Sequence, residues 1–155
     1  HLPTMNTILA PVDLSELTPR VAAQAASLSR AFGAQLWLIH VAAPDPDFVG
    51  FRTGPQYVRD HRAEILKQEH RDLHDLRDLL RAEGVNAEAL LVQGPTTETI
   101  LQEAADLNAD LIVMGSHGRS GLFKALVGSV CEQVLRESNV PVHIVPAKES
   151  GDRRG

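Results

Sequence analysis

Five short apolar segments alternate with four amphipathic segments along the chain, and this order constrains the fold more than any other feature of the sequence. The apolar segments are typical of buried strands and occupy residues 7–12, 35–41, 87–93, 110–114 and 142–145. Between them, apolar residues recur at helical spacing in four groups: Leu17, Val21, Ala25, Leu28 and Phe32; Leu66, Leu73, Leu76 and Leu80; Ile100, Leu101, Ala104 and Ala105; and Val127, Val130, Cys131 and Val134. Because parallel strands require crossover connections, the order predicts an α/β fold with an open five-stranded parallel sheet covered by helices on both faces.

The size and composition of the chain are those of one globular domain. Its 155 residues suit a single domain, which we place at residues 5–147. Residues 1–4 are either a remnant of protein expression or a native extension, and residues 148–155 form a polar tail. A net charge of -5 argues against a nucleic-acid or membrane-surface binder, since these normally carry a basic face. No segment resembles a membrane span or a signal peptide, and the single cysteine indicates no disulfide. We therefore expect a cytoplasmic protein that is not inserted into a membrane.

A glycine-rich stretch, residues 113–130, follows the fourth strand and leads into the fourth helix. Ligands of open parallel sheets bind at the carboxyl ends of the strands, so this stretch is the first candidate for a binding site. We expect Gly115 and Gly118 to adopt positive φ and to let a ligand approach the backbone, and Gly128 and Ser129 to open the helix, whose amides favour phosphate. The common phosphate-loop, dinucleotide-binding and nucleophile-elbow motifs are absent from the sequence, which disfavours ordinary NTPases, dehydrogenases and hydrolases.

The spacing Gly115-x2-Gly118-x9-Gly128-Ser129 resembles the nucleotide-binding signature of the universal stress protein family. The opening strand-helix-strand segment and the closing half of the chain are also similar to that family, so the resemblance runs from Asn6 to Pro146. It is weakest over residues 43–85. The resemblance implies strand order 3-2-1-4-5 in an adenine nucleotide alpha hydrolase-like fold, with ATP as the ligand.

The same resemblance implies a role for individual residues of this chain. Asp13 and the backbone at Pro11 and Val12 are expected to face the adenosine, with Val41 beside the adenine. Met114 and Gly115 are expected at the ribose. The predicted phosphate-side residues are His117, through its backbone more than its ring, with Gly118, Arg119, Gly128, Ser129 and Val130. The resemblance further implies Mg²⁺ or Mn²⁺ held mainly by the phosphates, without protein side chains, and a homodimer paired through the last strand, at Val142, His143, Ile144 and Val145.

Several of these residues have a second interpretation that the sequence leaves open. Asp13 and Glu16 fit a helix capping box, and Val41 fits the last buried position of its strand. Arg119 and Lys124 are either phosphate ligands or solvated charges, and we favour Arg119 as the ligand. His117 lacks a carboxylate or serine partner in the sequence pattern, which disfavours a catalytic base. Cys131 lies on the helical stripe and fits a small core residue.

Two further features of the sequence have no assigned function. His61, His70 and His74 lie on the predicted second helix, where a solvated charged face is favoured over a metal site. The long loop predicted over residues 42–56 contains three apolar residues, Phe48, Val49 and Phe51. They could cover a ligand or an interface.

The sequence favours an ATP-binding regulatory or stress-response protein with an unidentified protein partner over two alternatives. The first is a slow ATPase or phosphotransferase, for which no side chain is evident to position an attacking group. The second is a protein-interaction module without nucleotide.

Overall fold

A computed structural model describes residues 4–42, 56–118 and 127–147 of the protein. Its strands are β1 (Thr7–Pro11), β2 (Gln35–Ala42), β3 (Ala87–Gln93), β4 (Leu111–Gly115) and β5 (Val142–Val145). Its helices are α1 (Thr18–Phe32), α2 (Gln56–Ala82), α3 (Thr96–Asp106) and α4 (Ser129–Glu137).

The five strands form one parallel sheet in the order β3-β2-β1-β4-β5, which confirms the predicted fold class and strand order. The chain moves from β1 towards one edge of the sheet through β2 and β3, and then crosses to β4 and β5 on the other side. The direction therefore reverses between β1 and β4. Open parallel sheets bind ligands at this kind of reversal, because the loops that leave the two strands diverge and leave a crevice.

Apolar side chains pack on both faces of the sheet, as expected for strands that read as nearly continuous apolar runs. Residues of α1 and α2, including Val21 and Leu73, join the core on one face. Residues of α3 and α4, including Ile100 and Val134, join the core on the other. The four helices of the described residues are thus divided between the faces of the sheet, two to each.

The structure differs from the expected element boundaries and buried positions in several places. The second helix begins at Gln56, ten residues before its first predicted apolar position. The extra turns are mostly exposed, and their few apolar residues do not give a clear helical pattern. Ala105 is exposed rather than part of the buried stripe of α3. Val127 precedes α4, which begins at Ser129. The first strand ends at Pro11 rather than Val12.

Candidate functional site

A cavity of about 360 Å³ lies at the carboxyl ends of β1 and β4, at the reversal of strand order. We call it the strand-end cavity. Its wall contains eleven of the twelve residues that the sequence predicted as nucleotide ligands: Pro11, Val12, Asp13, Val41, Met114, Gly115, His117, Gly118, Gly128, Ser129 and Val130. The twelfth, Arg119, lies outside the described residues, as do Lys124 and the loop residues Phe48, Val49 and Phe51.

The segment after β1 is held by hydrogen bonds from β2. The Val12 amide donates to the carbonyl of Ile39 at 2.8 Å. The Val12 carbonyl lies 2.9 Å from Nδ1 of His40, and Nε2 of the same ring lies 2.9 Å from Glu69 Oε2 on α2. Because a carbonyl can only accept, Nδ1 carries the hydrogen of that bond. The buried His40 ring therefore links the cavity wall to α2, a contact that the sequence analysis did not identify.

Asp13 belongs to the turn before α1 and does not cap the helix. Its Oδ1 accepts a hydrogen bond from the Ser15 amide at 3.0 Å, and Leu14 adopts a positive φ of 61° within this turn. The helix begins at Thr18, with Leu17 at the N-cap and no side-chain cap, so Asp13 and Glu16 do not form the capping box that the sequence left open as an alternative. The turn adds residues between Asp13 and the helix, and it directs the carboxylate towards the strand-end cavity.

The three signature glycines, Gly115, Gly118 and Gly128, line the cavity, and atoms of other residues approach each of them closely. Gly115, Gly118 and Gly128 do not have positive φ, so our expectation of left-handed backbone at the first two is wrong. A β-carbon at Gly115 would lie 2.5 Å from Leu17 Cδ2, and one at Gly118 would lie 2.8 Å from Asp13 Oδ2. Close packing around the cavity, and not backbone conformation, therefore favours glycine at these positions.

The first turn of α4 opens onto the cavity. Gly128 is its N-cap, with φ of -71° and ψ of 165°, and has no side chain to cap the helix. Its own amide donates to the Ser116 carbonyl at 2.6 Å, which fixes the position of the helix start. The amides at Ser129 and Val130 have no acceptor one turn earlier in the helix, and the helix dipole adds partial positive charge there. This arrangement favours an anionic group in the cavity.

His117 has a serine partner that the sequence analysis missed. Its Nδ1 lies 2.9 Å from Oγ of the preceding residue, Ser116, which is buried and which also accepts a hydrogen bond from the Ala147 amide at 3.1 Å. The sequence did not predict this contact, because neighbouring side chains in an extended strand point to opposite faces of the sheet. The chain leaves the strand at Gly115, and beyond it the two side chains meet.

The cavity has an apolar side that suits a flat ring. Val41 of β2 is half-buried on the face of the sheet that is covered by α3. Met114 of β4 is buried on the same face. Ile100 of α3 adds a third apolar side chain to the same wall. Apolar walls with a few placed polar groups are typical of small-molecule sites.

Nine lining residues were not among the predicted ligands. They are Leu17, Thr18, Val21, Thr96, Ile100, Ser116, Val127, Cys131 and Glu132. Among them, Thr18 has a buried Oγ1 with no hydrogen-bond partner in the described part of the chain. Burial raises the pKa of the Cys131 thiol, which keeps the group protonated at neutral pH.

The charged side chains in the described wall are carboxylates, Asp13 and Glu132. Within the described part of the chain no Lys or Arg lines the cavity, so the α4 amides are the positive groups that this part offers to an anion. The histidine rings of His70 and His74 lie 3.9 Å apart on α2, away from the cavity. In residues 4–42, 56–118 and 127–147, no group of three or more His, Cys, Asp or Glu side chains is arranged to hold a metal ion. None of the helices in these ranges has the length and apolar character needed to cross a membrane.

The chain is similar in sequence and structure to proteins of one family. A universal stress protein of Thermus aquaticus is 37% identical over 143 residues, covering 90% of this chain and 98% of the relative. The structure of MJ0577 from Methanocaldococcus jannaschii superposes with a TM-score of 0.81 and 26% identity, covering 96% of this chain and all of MJ0577. The universal stress protein of Archaeoglobus fulgidus shares the fold, with a TM-score of 0.65, 23% identity and coverage of 92% and 98% of the two chains. The sequence profile of the universal stress protein family matches residues 4–146, and the chain therefore belongs to that family.

Proposed function

We propose that this protein binds ATP in the strand-end cavity and acts as a nucleotide-dependent regulatory dimer in the stress response. The main support is that eleven of the nucleotide-binding residues predicted from the sequence line one cavity of about 360 Å³. This volume is within the range of about 300 to 1,000 Å³ for ligand sites. The Archaeoglobus fulgidus relative is described in complex with dAMP, so in that protein the same fold accommodates an adenine nucleotide.

The proposed orientation of the nucleotide follows from the polarity of the cavity. The apolar side chains of Val41 and Met114 suit the adenine and ribose, and the start of α4 at Gly128 and Ser129 suits the phosphates. The carboxylates of Asp13 and Glu132 would repel a bare triphosphate. Mg²⁺ or Mn²⁺ bound to the phosphates offsets this repulsion, and Arg119 is proposed to add a further positive charge.

The proposed dimer pairs β5 with β5 of a second copy. β4 is the strand that pairs with β5 inside the chain, so β5 forms an edge of the sheet. Val142 and Ile144 are half-buried on this edge and offer apolar surface to a second strand. A cytoplasmic location, based on the single Cys131, remains a prediction.

Mass spectrometry of nucleotide released from denatured protein, together with thermal unfolding in Mg-ATP, tests the proposal. We expect Mg-ATP to raise the melting temperature, and a ligand at one hundred times its Kd adds about 2.7 kcal/mol of stability. Titration with ATP, ADP, AMP and dAMP should rank the affinity by phosphate number if α4 holds the phosphates. Gly118→Val and Gly128→Val should abolish the shift, whereas Ser138→Ala, away from the cavity, should retain it.

The proposal fails if the purified protein carries no adenine nucleotide and millimolar Mg-ATP does not stabilise it. An equal response to GTP would remove the adenine specificity. Phosphate release measured in the same samples tests the alternative of slow hydrolysis, and turnover unchanged in Gly128→Val would exclude it.

A further inference from the structure

The amide, carbonyl and hydroxyl of Ser116 all make hydrogen bonds. They connect the cavity wall, at Gly128 and His117, with the carboxyl end of β5, at Val145 and Ala147. The Ser116 amide donates to the Val145 carbonyl of β5 at 2.9 Å, and its Oγ accepts from the Ala147 amide at 3.1 Å. Its carbonyl accepts from the Gly128 amide at 2.6 Å, and its Oγ lies 2.9 Å from His117 Nδ1. The residue is only 5% exposed, so water does not readily replace these bonds.

These four contacts join the predicted phosphate side of the cavity to the carboxyl end of β5. Gly128 and His117 line the strand-end cavity, whereas Val145 and Ala147 do not. The connection is also tightly packed, because a β-carbon at Gly128 would lie 3.2 Å from the Ser116 carbonyl oxygen. Because little space separates the two residues, a displacement of the α4 start towards Ser116 would press on Ser116.

We propose that Ser116 is the positioning residue through which nucleotide in the cavity stabilises the carboxyl end of β5, the strand proposed to pair with a second copy. This inference rests on the proposed function. A phosphate held by the α4 amides orders Gly128 and His117, and Ser116 then holds Val145 and Ala147 more firmly. Because binding linkage is reciprocal, pairing of β5 should raise nucleotide affinity by the same factor by which nucleotide favours pairing.

The hydroxyl of Ser116 can be removed without removing its backbone bonds. Ser116→Ala deletes the contacts of Oγ with Ala147 and His117, and Ser116→Thr retains a hydroxyl. Ala147→Pro deletes the same bond from the donor side and alters a residue outside the cavity wall. Ser138→Ala is the matched control, because its hydroxyl also bonds backbone groups, at Val140, but before the other end of β5.

Hydrogen exchange of the β5 and Ser116 amides, and the dimer association constant, are measured with and without saturating Mg-ATP for each variant. In the unmodified protein we expect Mg-ATP to slow this exchange and to raise association, each at least fivefold. Ser116→Ala and Ala147→Pro should reduce both ratios to below twofold, and Ser116→Thr and Ser138→Ala should retain them. A merely structural serine would change stability but leave these ratios unaltered.

The outcomes separate this inference from the proposed function. If the unmodified protein does not bind Mg-ATP, the proposed function fails, and the inference fails with it. If it binds Mg-ATP but β5 exchange does not respond, or if Ser116→Ala and Ala147→Pro keep the full response, only the inference is overturned.

Discussion

The carboxylate of Asp13 occupies the space into which a side chain at Gly118 would project. A β-carbon at Gly118 would lie 2.8 Å from Asp13 Oδ2, while Oδ1 of the same carboxylate accepts from the Ser15 amide. The two residues come from loops after β1 and β4, which are neighbouring strands. The packing of these loops against each other shapes the cavity, and it leads to the first prediction.

Gly118→Ala should displace the Asp13 carboxylate and weaken Mg-ATP binding at least tenfold, which is about 1.4 kcal/mol. The free energy of unfolding should change by less than about 1 kcal/mol, since a side chain rather than the backbone must move. Calorimetric titration and urea unfolding measure the two effects. In a double-mutant cycle with Asp13→Ala the losses should be less than additive. Wild-type affinity in Gly118→Ala would contradict the prediction.

Gly128→Ala should be more destabilising, because the added carbon would meet backbone atoms. It would lie 3.2 Å from the Ser116 carbonyl oxygen and 3.4 Å from His117 Cα. We expect a loss of about 1 to 3 kcal/mol in unfolding free energy, typical of overpacking, together with loss of Mg-ATP binding. Gly33→Ala is the control: its φ is 65° with open space around it, so it should cost about 1 to 2 kcal/mol without affecting binding.

Thr18→Val should stabilise the protein, whereas Thr97→Val should destabilise it. Both threonines are buried, but Thr18 Oγ1 has no hydrogen-bond partner and Thr97 Oγ1 donates to Gln133 Oε1 at 2.7 Å. Removing an unsatisfied hydroxyl should add about 1 kcal/mol, and removing a satisfied one should cost about 1 kcal/mol. Thermal unfolding of the two variants measures the difference, and shifts of the same sign would show that the Thr18 hydroxyl has a partner.

Glu69→Ala should destabilise the protein by about 1 to 3 kcal/mol, because it leaves a buried ring nitrogen of His40 without its partner. Glu69→Gln should cost less, since the side-chain amide can still make a hydrogen bond with Nε2, as donor or as acceptor. Urea unfolding of the two variants at neutral pH measures the contribution. Equal losses would indicate that charge, and not hydrogen bonding, dominates this contact.

Cys131 should react slowly with iodoacetamide near pH 8, because burial raises the pKa of its thiol and only the thiolate reacts. The folded thiol retains its proton to higher pH than the unfolded thiol. The protonated thiol therefore contributes to the free energy of unfolding below the pKa of the unfolded chain, about 8.5. This contribution is lost as the pH rises through the higher pKa of the folded protein. Unfolding measured from pH 8 to 10 should show a shallower decline in Cys131→Ala. Rapid alkylation of the native protein would contradict the prediction.

The regular alternation of strands and helices made most of the fold predictable, and the exceptions have physical reasons. Buried runs such as residues 35–41 have a composition typical of a strand covered on both faces. The first turns of α2, from Gln56, are mostly exposed, so their sequence has too few apolar residues for a clear helical pattern. The turn at Asp13 depends on a positive φ at Leu14, a residue type that does not usually adopt it, and the sequence consequently left a helix cap open as an alternative.

The sequence by itself determined the fold class, the strand order through its family resemblance, and the set of residues at the strand ends. These properties depend on apolar periodicity and on short motifs, which are local in the chain. Only the tertiary structure decided that Asp13 packs against Gly118, that Ser116 contacts His117 and Ala147, and that Thr18 is left without a partner. Such contacts depend on which atoms distant segments bring within a few ångströms, and no local pattern encodes that distance.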